Sequence, residues 1–293
     1  MVSGYLDKES LCGVVVIYNP DDTIVANISS YINELSHLYL VDNSEEANAG
    51  LIRQICAISD KISYHALGQN KGIATALNKG CELGVNNGYQ WILTMDQDSF
   101  FESGEFFDSI FGTTYPGVAI IAASYNSIYF KPAQSSYAGL IEIGFAITSG
   151  NVLNLAAWLK LGGFADKLFI DEVDNEFCIR AGLNGYKILT TNKIFLRHHL
   201  GDDVMIRHWI TRQTRKVSKH SPLRVYYVVR NNLYIWRKYA FSAPAFVINR
   251  MRNLAAQIFK IFLYFPDKKN YLRVMLKAVK HACSGRYGKY ADK

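Results

Sequence analysis

The chain has 293 residues, 49% hydrophobic and 19% charged, the proportions of a folded globular protein with room for one α/β domain and an appendage, and not those of a disordered chain. Its five cysteines (Cys12, Cys56, Cys81, Cys178, Cys283) include no CxxC pair, which argues against a disulfide framework or zinc site and for free thiols in a reducing compartment. The net charge of +7 is divided sharply: residues 1–203 hold 12 Lys+Arg against 23 Asp+Glu (net −11), and residues 204–293 hold 20 against 2 (net +18).

An acidic module, residues 1–203, is therefore expected to be joined to a basic one, residues 204–293. The start MVSGYLDKES lacks the basic-then-apolar pattern of a signal peptide, and nowhere do eighteen apolar residues run together, so neither a leader nor a membrane span is expected.

In chain order, LCGVVVIYNP from Leu11 reads as a buried strand ended by the Asn19-Pro20 turn. A helix is predicted over Thr23–Leu35. HLYLVDNS is a second strand, delivering Asp42 and Asn43 at its end, and ISYHAL a third. GIATALNKGCELGV reads as a helix, and WILTMDQDS as a fourth strand that ends in two carboxylates. Strands alternating with helices at this spacing predict a doubly wound, mostly parallel α/β sheet. Ligands of such sheets sit at the carboxyl ends of the strands, where Tyr18, Asp42 and Asp96 fall. Further on, residues 119–191 mix short strands with helices at Asn154–Leu161 and Asp174–Leu183. Beyond them, Met251, Leu254, Ala255, Ile258, Ile261, Phe262 and Phe265 make one helical stripe, and Leu272, Met275, Leu276 and Val279 a second. Both are flanked by Arg and Lys. Two basic amphipathic helices of this kind suit the headgroup boundary of an anionic membrane, or packing on the protein itself or on a second subunit as a homo-oligomer.

Asp96-Gln97-Asp98 places two carboxylates one residue apart after an apolar strand, a pattern that can hold a divalent cation on a diphosphate or be a solvated turn. Asp42 can accept hydrogen bonds from a base or ribose, or close an Asx-turn in VDNS. Strand one is not followed by GxGxxG, so the dinucleotide-binding pattern is missing its centre. Asn70 and Gly72 open a helix whose small residues allow close approach to sheet or ligand. In IDEVDNEFCIR, Phe177 and Cys178 turn inward and leave Asp174 at the mouth of a helix, a position for a general base or for a helix-capping acid. HHLGDD offers a third metal ligand, His199. In HSPLRVYYVVRN, Arg224, Tyr227 and Arg230 suit phosphate binding or a basic amphipathic helix.

The ordered set, VVVIYNP, LVDNS, NKGIATALNKG, ILTMDQDS, ITSGNV, GGFADKLFIDEVDNEFCIRAGLNGY and HSPLRVYYVVRN, spans roughly residues 11–235. It resembles glycosyltransferase family 2, with the GT-A fold, and within it the bacterial rhamnosyltransferase-like branch. The resemblance implies an inverting transfer of a sugar, rhamnose from dTDP-rhamnose or a hexose from a UDP-sugar. The acceptor would be a hydroxyl of a saccharide or lipid-linked saccharide in surface polysaccharide (O-antigen) synthesis, on the inner face of the cytoplasmic membrane. It implies that Tyr18 and Asp42 hold the nucleoside, Asp96 and Asp98 hold Mg²⁺ or Mn²⁺, and Ser149 and Gly150 line the donor pocket. Asp174 matches the family's base, with Glu176 as the acid two residues later. The common Glu-Asp pair is Val173-Asp174 here, which leaves Asp171 as the alternative. Two other enzyme classes and one non-enzymatic reading compete. A phosphatase with DxD carries it on strand one, and a nucleotidyltransferase needs a Gly-rich loop after strand one. A nucleic-acid binder would leave the acid clusters unused.

Overall fold

The protein is described by a computed structural model covering residues 4–124, 139–198, 203–207 and 214–291. It forms two compact units, Met1–Phe169 with Val173–His198, and Ile170–Glu172 with His199–Lys293.

In the first unit the chain runs β1 (Leu11–Ile17), α1 (Thr23–Ser29), β2 (His37–Asp42), α2 (Ala49–Cys56), β3 (Ile62–Ala66), α3 (Ile73–Asn86) and β4 (Trp91–Asp96). It continues through β5 (Ser99–Phe101), α4 (Glu105–Ile110), β6 (Val118–Ser124), β7 (Leu140–Ile143), β8 (Asn151–Asn154), α5 (Leu155–Leu161), α6 (Val173–Leu183), β9 (Lys187–Ile194) and β10 (Leu196–His198). Eight strands make the main sheet in the order β3-β2-β1-β4-β8-β6-β9-β7. The β3-β2-β1-β4 half is parallel throughout, while β8 runs antiparallel to both β4 and β6. All seven residues of β1 are buried, as a central strand covered on both faces demands. One cover is α3, whose small residues Ala76, Gly80 and Gly84 recur every four positions. A Cβ on Gly80 would lie 2.3 Å from the Val14 side chain, and one on Gly84 3.0 Å from Cys12 Sγ. The other face carries an aromatic cluster in which the Phe101, Phe106 and Phe107 rings stand 5.0–5.3 Å apart.

The mostly parallel α/β sheet expected from the sequence is present. The helix predicted over Thr23–Leu35 stops at Ser29 and is followed by a 3₁₀ turn at Ile32–Glu34. The Ser29 and Ser30 hydroxyls donate to the carbonyls of Val25 and Asn27, and Tyr31 leaves helical φ/ψ. Serines that bond their own backbone compete with helix continuation.

The second unit holds a two-stranded ribbon (β11, Asp203–Arg207; β12, Thr214–Ser218) and three helices, α7 (Pro222–Tyr239), α8 (Pro244–Tyr264) and α9 (Lys268–Cys283). Ser221 caps α7 by accepting from Arg224 N–H at 3.2 Å, with Pro222 in the first turn. The inward seams are Val247, Leu254 and Ile261 on α8, and Tyr271, Met275 and Ala278 on α9. Only part of each predicted stripe is thus buried. Of the first stripe, Leu254, Ile261 and Phe265 are buried and Phe262 is exposed; of the second, Met275 is buried and Leu272, Leu276 and Val279 are exposed, and Ile248 and Phe259, outside the stripe, are exposed as well. Among the described residues no helix is long and apolar enough to cross a membrane.

Candidate active site

Parallel register sets the geometry. Ile17 lies opposite Asp42 and Val16 opposite Asp96, so both acids emerge beside the end of β1. Side chains then lock the connecting loops. Gln97 accepts from Tyr18 N–H at 2.8 Å and donates to Tyr18 O at 3.3 Å, and Asn27 donates to Gln97 O at 2.8 Å. Ser44 accepts from Asn19 N–H at 2.8 Å, where Asn19 takes the left-handed φ of 45°. Asp96 N–H donates to the buried Ser149 Oγ at 3.1 Å. Gly150 N–H bonds Thr94 O at 2.9 Å, and its φ of 73° is one that glycine adopts freely. The middle residue of Asp96-Gln97-Asp98 is therefore a brace, while the two acids, partly exposed, stand at the strand end.

The loop after β3 is built similarly. Asn43 accepts from Lys71 N–H at 2.8 Å and donates to Asn70 Oδ1 at 3.2 Å, and Asn70 Oδ1 also accepts from Gly72 N–H at 3.0 Å. Gly72 has φ 89°, and a Cβ there would lie 2.5 Å from Phe169 O and 2.6 Å from its ring. Phe169 O in turn accepts from Ile73 N–H at 2.8 Å, at the start of α3. Asn78 explains the rest of the motif. It accepts from Phe164 N–H and Trp158 Nε1 and donates to Phe164 O and Asp166, fixing the turn through Gly163.

Asp174 lies in the first turn of α6 and lines a cavity of about 10 Å³ with Thr94, Thr148, Asn151 and Phe164, room for about one water. Thr94 is two residues before Asp96 on β4, so the α6 acid and the strand-end acids belong to one region of the first unit. Cys178, a turn further along α6, is buried, and its thiol is pushed up to about 12, chiefly by burial. It is packing, not a nucleophile. Glu176 is fully buried and bonded by Arg180 Nη2 at 2.7 Å and Nε at 3.2 Å; Arg180 also donates to the carbonyls of Leu161 and Gly163.

Residues 12–128 match the family model described as glycosyl transferase family 2. Over 305 aligned residues the chain is 27% identical to the dTDP-rhamnosyl transferase RfbF of Shigella flexneri, covering 96% of this chain and 97% of that protein. Among solved structures it is similar to S. aureus TarS 1–349 in complex with UDP-GlcNAc. There the TM-score is 0.55 at 13% identity, over 93% of this chain and 81% of that one. It is also similar to GalNAc-T7 with UDP, GalNAc and Mn²⁺, with a TM-score of 0.51 at 11% identity over 62% of this chain, which spans 42% of that protein's length. At such identities the likeness is one of fold, and the fold is GT-A.

Within this GT-A frame the residues expected from the sequence fall in three groups. Tyr18, Asp42, Asn70, Gly72, Asp96, Asp98, Ser149, Gly150, Asp174 and Glu176 all lie in the first unit. Asp42 is buried, its two oxygens accepting from Ser44 N–H and Tyr64 OH, each at 2.9 Å. The Tyr64 hydroxyl is pushed up to about 12, by burial and then by its bond to Asp42, so it stays a donor. In the second unit, Arg224 is exposed and pairs with Asp171 Oδ1 at 3.2 Å. Tyr227 is buried and accepts from Tyr290 N–H at 2.7 Å. Arg230 is 1% exposed, stacked among Tyr226, Tyr227 and Tyr287 and bonded to Gly288 O. The structure thus places Arg230 in the interior of the helical unit. His199 lies outside the described residues; the strand before it pairs His198 opposite Ser99, the residue after Asp98.

Residue chemistry at the end of β4 fits a hard divalent ion. Asp96 and Asp98 could offer carboxylate oxygens to such an ion, whose remaining ligands would come from water or phosphate. Among the described residues no three His, Cys, Asp or Glu side chains gather as a complete cage, so the two Asp would be only part of the ligand set. Sequence reading missed Asn43, Ser44, Tyr64, Gln97 and Arg180, all of which act on backbone or on another acid. Gly72→Ala should lower stability by about 1–3 kcal/mol, from lost left-handed freedom and overpacking against Phe169. Urea unfolding of the two proteins measures it.

Proposed function

We propose that the chain is an inverting glycosyltransferase that moves a sugar from a nucleoside-diphosphate donor to a hydroxyl of a saccharide or lipid-linked saccharide. The donor would be dTDP-rhamnose, with a UDP-hexose next, and the product part of a bacterial surface polysaccharide. The observation that carries this reading is the shared region of Asp174 and the strand-end pair. Asp174 and Thr94 line one cavity, and Asp96 and Asp98 follow Thr94 on the same strand end. A base and a diphosphate-binding pair in one region are what a single displacement requires. The donor choice follows the RfbF name.

In this reading Tyr18 and Asp42 hold the nucleoside, and Asn70, Gly72, Ser149 and Gly150 shape the donor pocket. Asp96 and Asp98 hold Mg²⁺ or Mn²⁺, which when bound supplies charge neutralisation for the diphosphate. Asp174 takes the acceptor hydroxyl proton as that oxygen bonds to the anomeric carbon. The bond from that carbon to the diphosphate oxygen breaks from the opposite face, so the configuration inverts, as in the two-carboxylate logic of inverting glycosidases. Glu176 acts through Arg180 by holding α6 to the Leu161–Gly163 turn. Of the two candidate bases, Asp174 is favoured over Asp171, because Asp174 lines the cavity with Thr94 while Asp171 is paired with the Arg224 guanidinium.

The second unit would dock on the anionic inner face of the cytoplasmic membrane. Supporting this, Ile248, Phe259 and Phe262 on α8 and Leu272, Leu276 and Val279 on α9 are exposed, among Arg252, Lys260, Lys269, Arg273 and Lys280. An apolar face fringed by cations suits the headgroup boundary, where each nearby Lys or Arg contributes roughly 1 kcal/mol with anionic lipid.

Asp174→Asn should lower turnover by about 10²-fold or more while donor binding changes little, since the amide keeps the shape and cannot take the proton. Steady-state kinetics with donor titration measures both; near-normal turnover in this variant with loss in Asp171→Asn would reassign the base. For docking, the intact chain should co-sediment with phosphatidylglycerol vesicles at low salt, less at high salt, and poorly with neutral vesicles. Phe259→Asp with Leu276→Asp should abolish it. Equal recovery on both vesicles would contradict the assignment.

A further inference from the structure

Phe169, Asp171 and Glu172, three non-glycine residues within four positions, adopt left-handed backbone, with φ of 68°, 62° and 64°. Side chains with a Cβ are strained there, and such conformations persist only where the surroundings over-determine them. For Ile170–Glu172 the surroundings are helices α7 and α8. Asn231 Nδ2 donates to the carbonyls of both Ile170 (2.7 Å) and Asp171 (3.0 Å). Asn232 Nδ2 donates to Glu172 Oε1 at 3.0 Å, and Arg250 also bonds that carboxylate. Arg224 Nη2 and Nε hold Asp171 Oδ1 at 3.2 and 3.3 Å. Asn231, Asn232 and Glu172 are all buried, so the Asn232–Glu172 bond forms away from competing water, whereas the Arg224–Asp171 pair lies at the surface. One amide bonding two successive carbonyls fixes backbone direction, which no side-chain ion pair does alone.

We propose that Asn231, seconded by Asn232, is a positioning residue for the transfer reaction. It holds Ile170–Glu172 in a conformation that this sequence would not otherwise keep, and so fixes where α6 begins. Val173 and Asp174 follow directly, and Asp174 is the base of the proposed function, on which this inference rests. A general base must meet its proton within hydrogen-bond reach. An error of about 1 Å in its placement costs up to about 10²-fold in rate. The Asn231-Asn232 pair of α7 therefore has a role in catalysis without touching substrate.

The test uses the full chain and two readouts, hydrogen exchange of peptides spanning residues 170–180 and kinetics split into kcat and donor KM. Asn231→Ala removes the clamp. Asp171→Val and Asp171→Gly both delete the partly buried carboxylate, but only glycine keeps the left-handed conformation at low cost. Asn231→Ala and Asp171→Val should accelerate exchange at the start of α6 and lower kcat by about tenfold or more, with donor KM within about twofold. Asp171→Gly should retain a kcat at least about fivefold above that of Asp171→Val. If Asn231→Ala does not fold, the Asp171 pair decides. Unchanged exchange, or equal kcat for valine and glycine, overturns the proposal, as does faster exchange with normal kcat. If the wild type turns over no nucleoside-diphosphate sugar, the proposed function fails instead, and exchange alone then decides the clamp: acceleration in Asn231→Ala and Asp171→Val upholds it, and none overturns it.

Discussion

Strand β1 is paired in parallel on both sides, and its register brings Ile17 opposite Asp42 and Val16 opposite Asp96. Everything at the site depends on that pairing. It sends three loops out at one edge, and hydrogen bonds between them finish the construction: Gln97 with the Tyr18 backbone, Ser44 with Asn19, and Ser149 with Asp96. The pairing in turn depends on packing beneath it, where Gly80 and Gly84 let α3 lie directly on Val14 and Cys12. A methyl group at either glycine would separate helix from strand or displace a core side chain.

The parallel half of this sheet was legible because buried central strands are apolar at every position and α3 has small residues at helical spacing. Elements with weaker signals were not. Helix α2 is eight residues long; its marks, the Asn48 cap and Leu51 with Ile55, are slight beside those of α3. The antiparallel insertion of β8 depends on partners far along the chain, Leu93 and Ile121 opposite Val152, which no local period encodes. Acids at strand ends could be found because loops there point to ligands. Their braces could not, since Asn43, Ser44 and Gln97 read as ordinary turn residues.

The same limit governs the DEVDNE segment. Its four acids look equivalent in sequence, yet each has a separate setting. Asp171 and Glu172 face cations of the helical unit, Glu176 is neutralised by Arg180, and Asp174 stands in the first turn of α6 with its neighbour Asn175 N–H. Environment, not residue type, separates a base from a structural anion. The charge division has a similar outcome. Part of the excess cation of residues 204–293 is used internally, at Arg224, Arg230 and Arg250, while Lys and Arg around the outer faces of α8 and α9 remain for the solvent side.

The central claim, that the strand-end acids serve sugar transfer from a nucleoside diphosphate, is tested most directly by nucleoside diphosphate release. The intact chain would be incubated with dTDP-, UDP- and GDP-sugars, with Mg²⁺ or Mn²⁺ and with EDTA. Release from dTDP-rhamnose or a UDP-hexose that needs the metal, and is lost in Asp98→Ala, is the predicted result. Release undiminished by EDTA, or turnover of GDP-sugars alone, would contradict it.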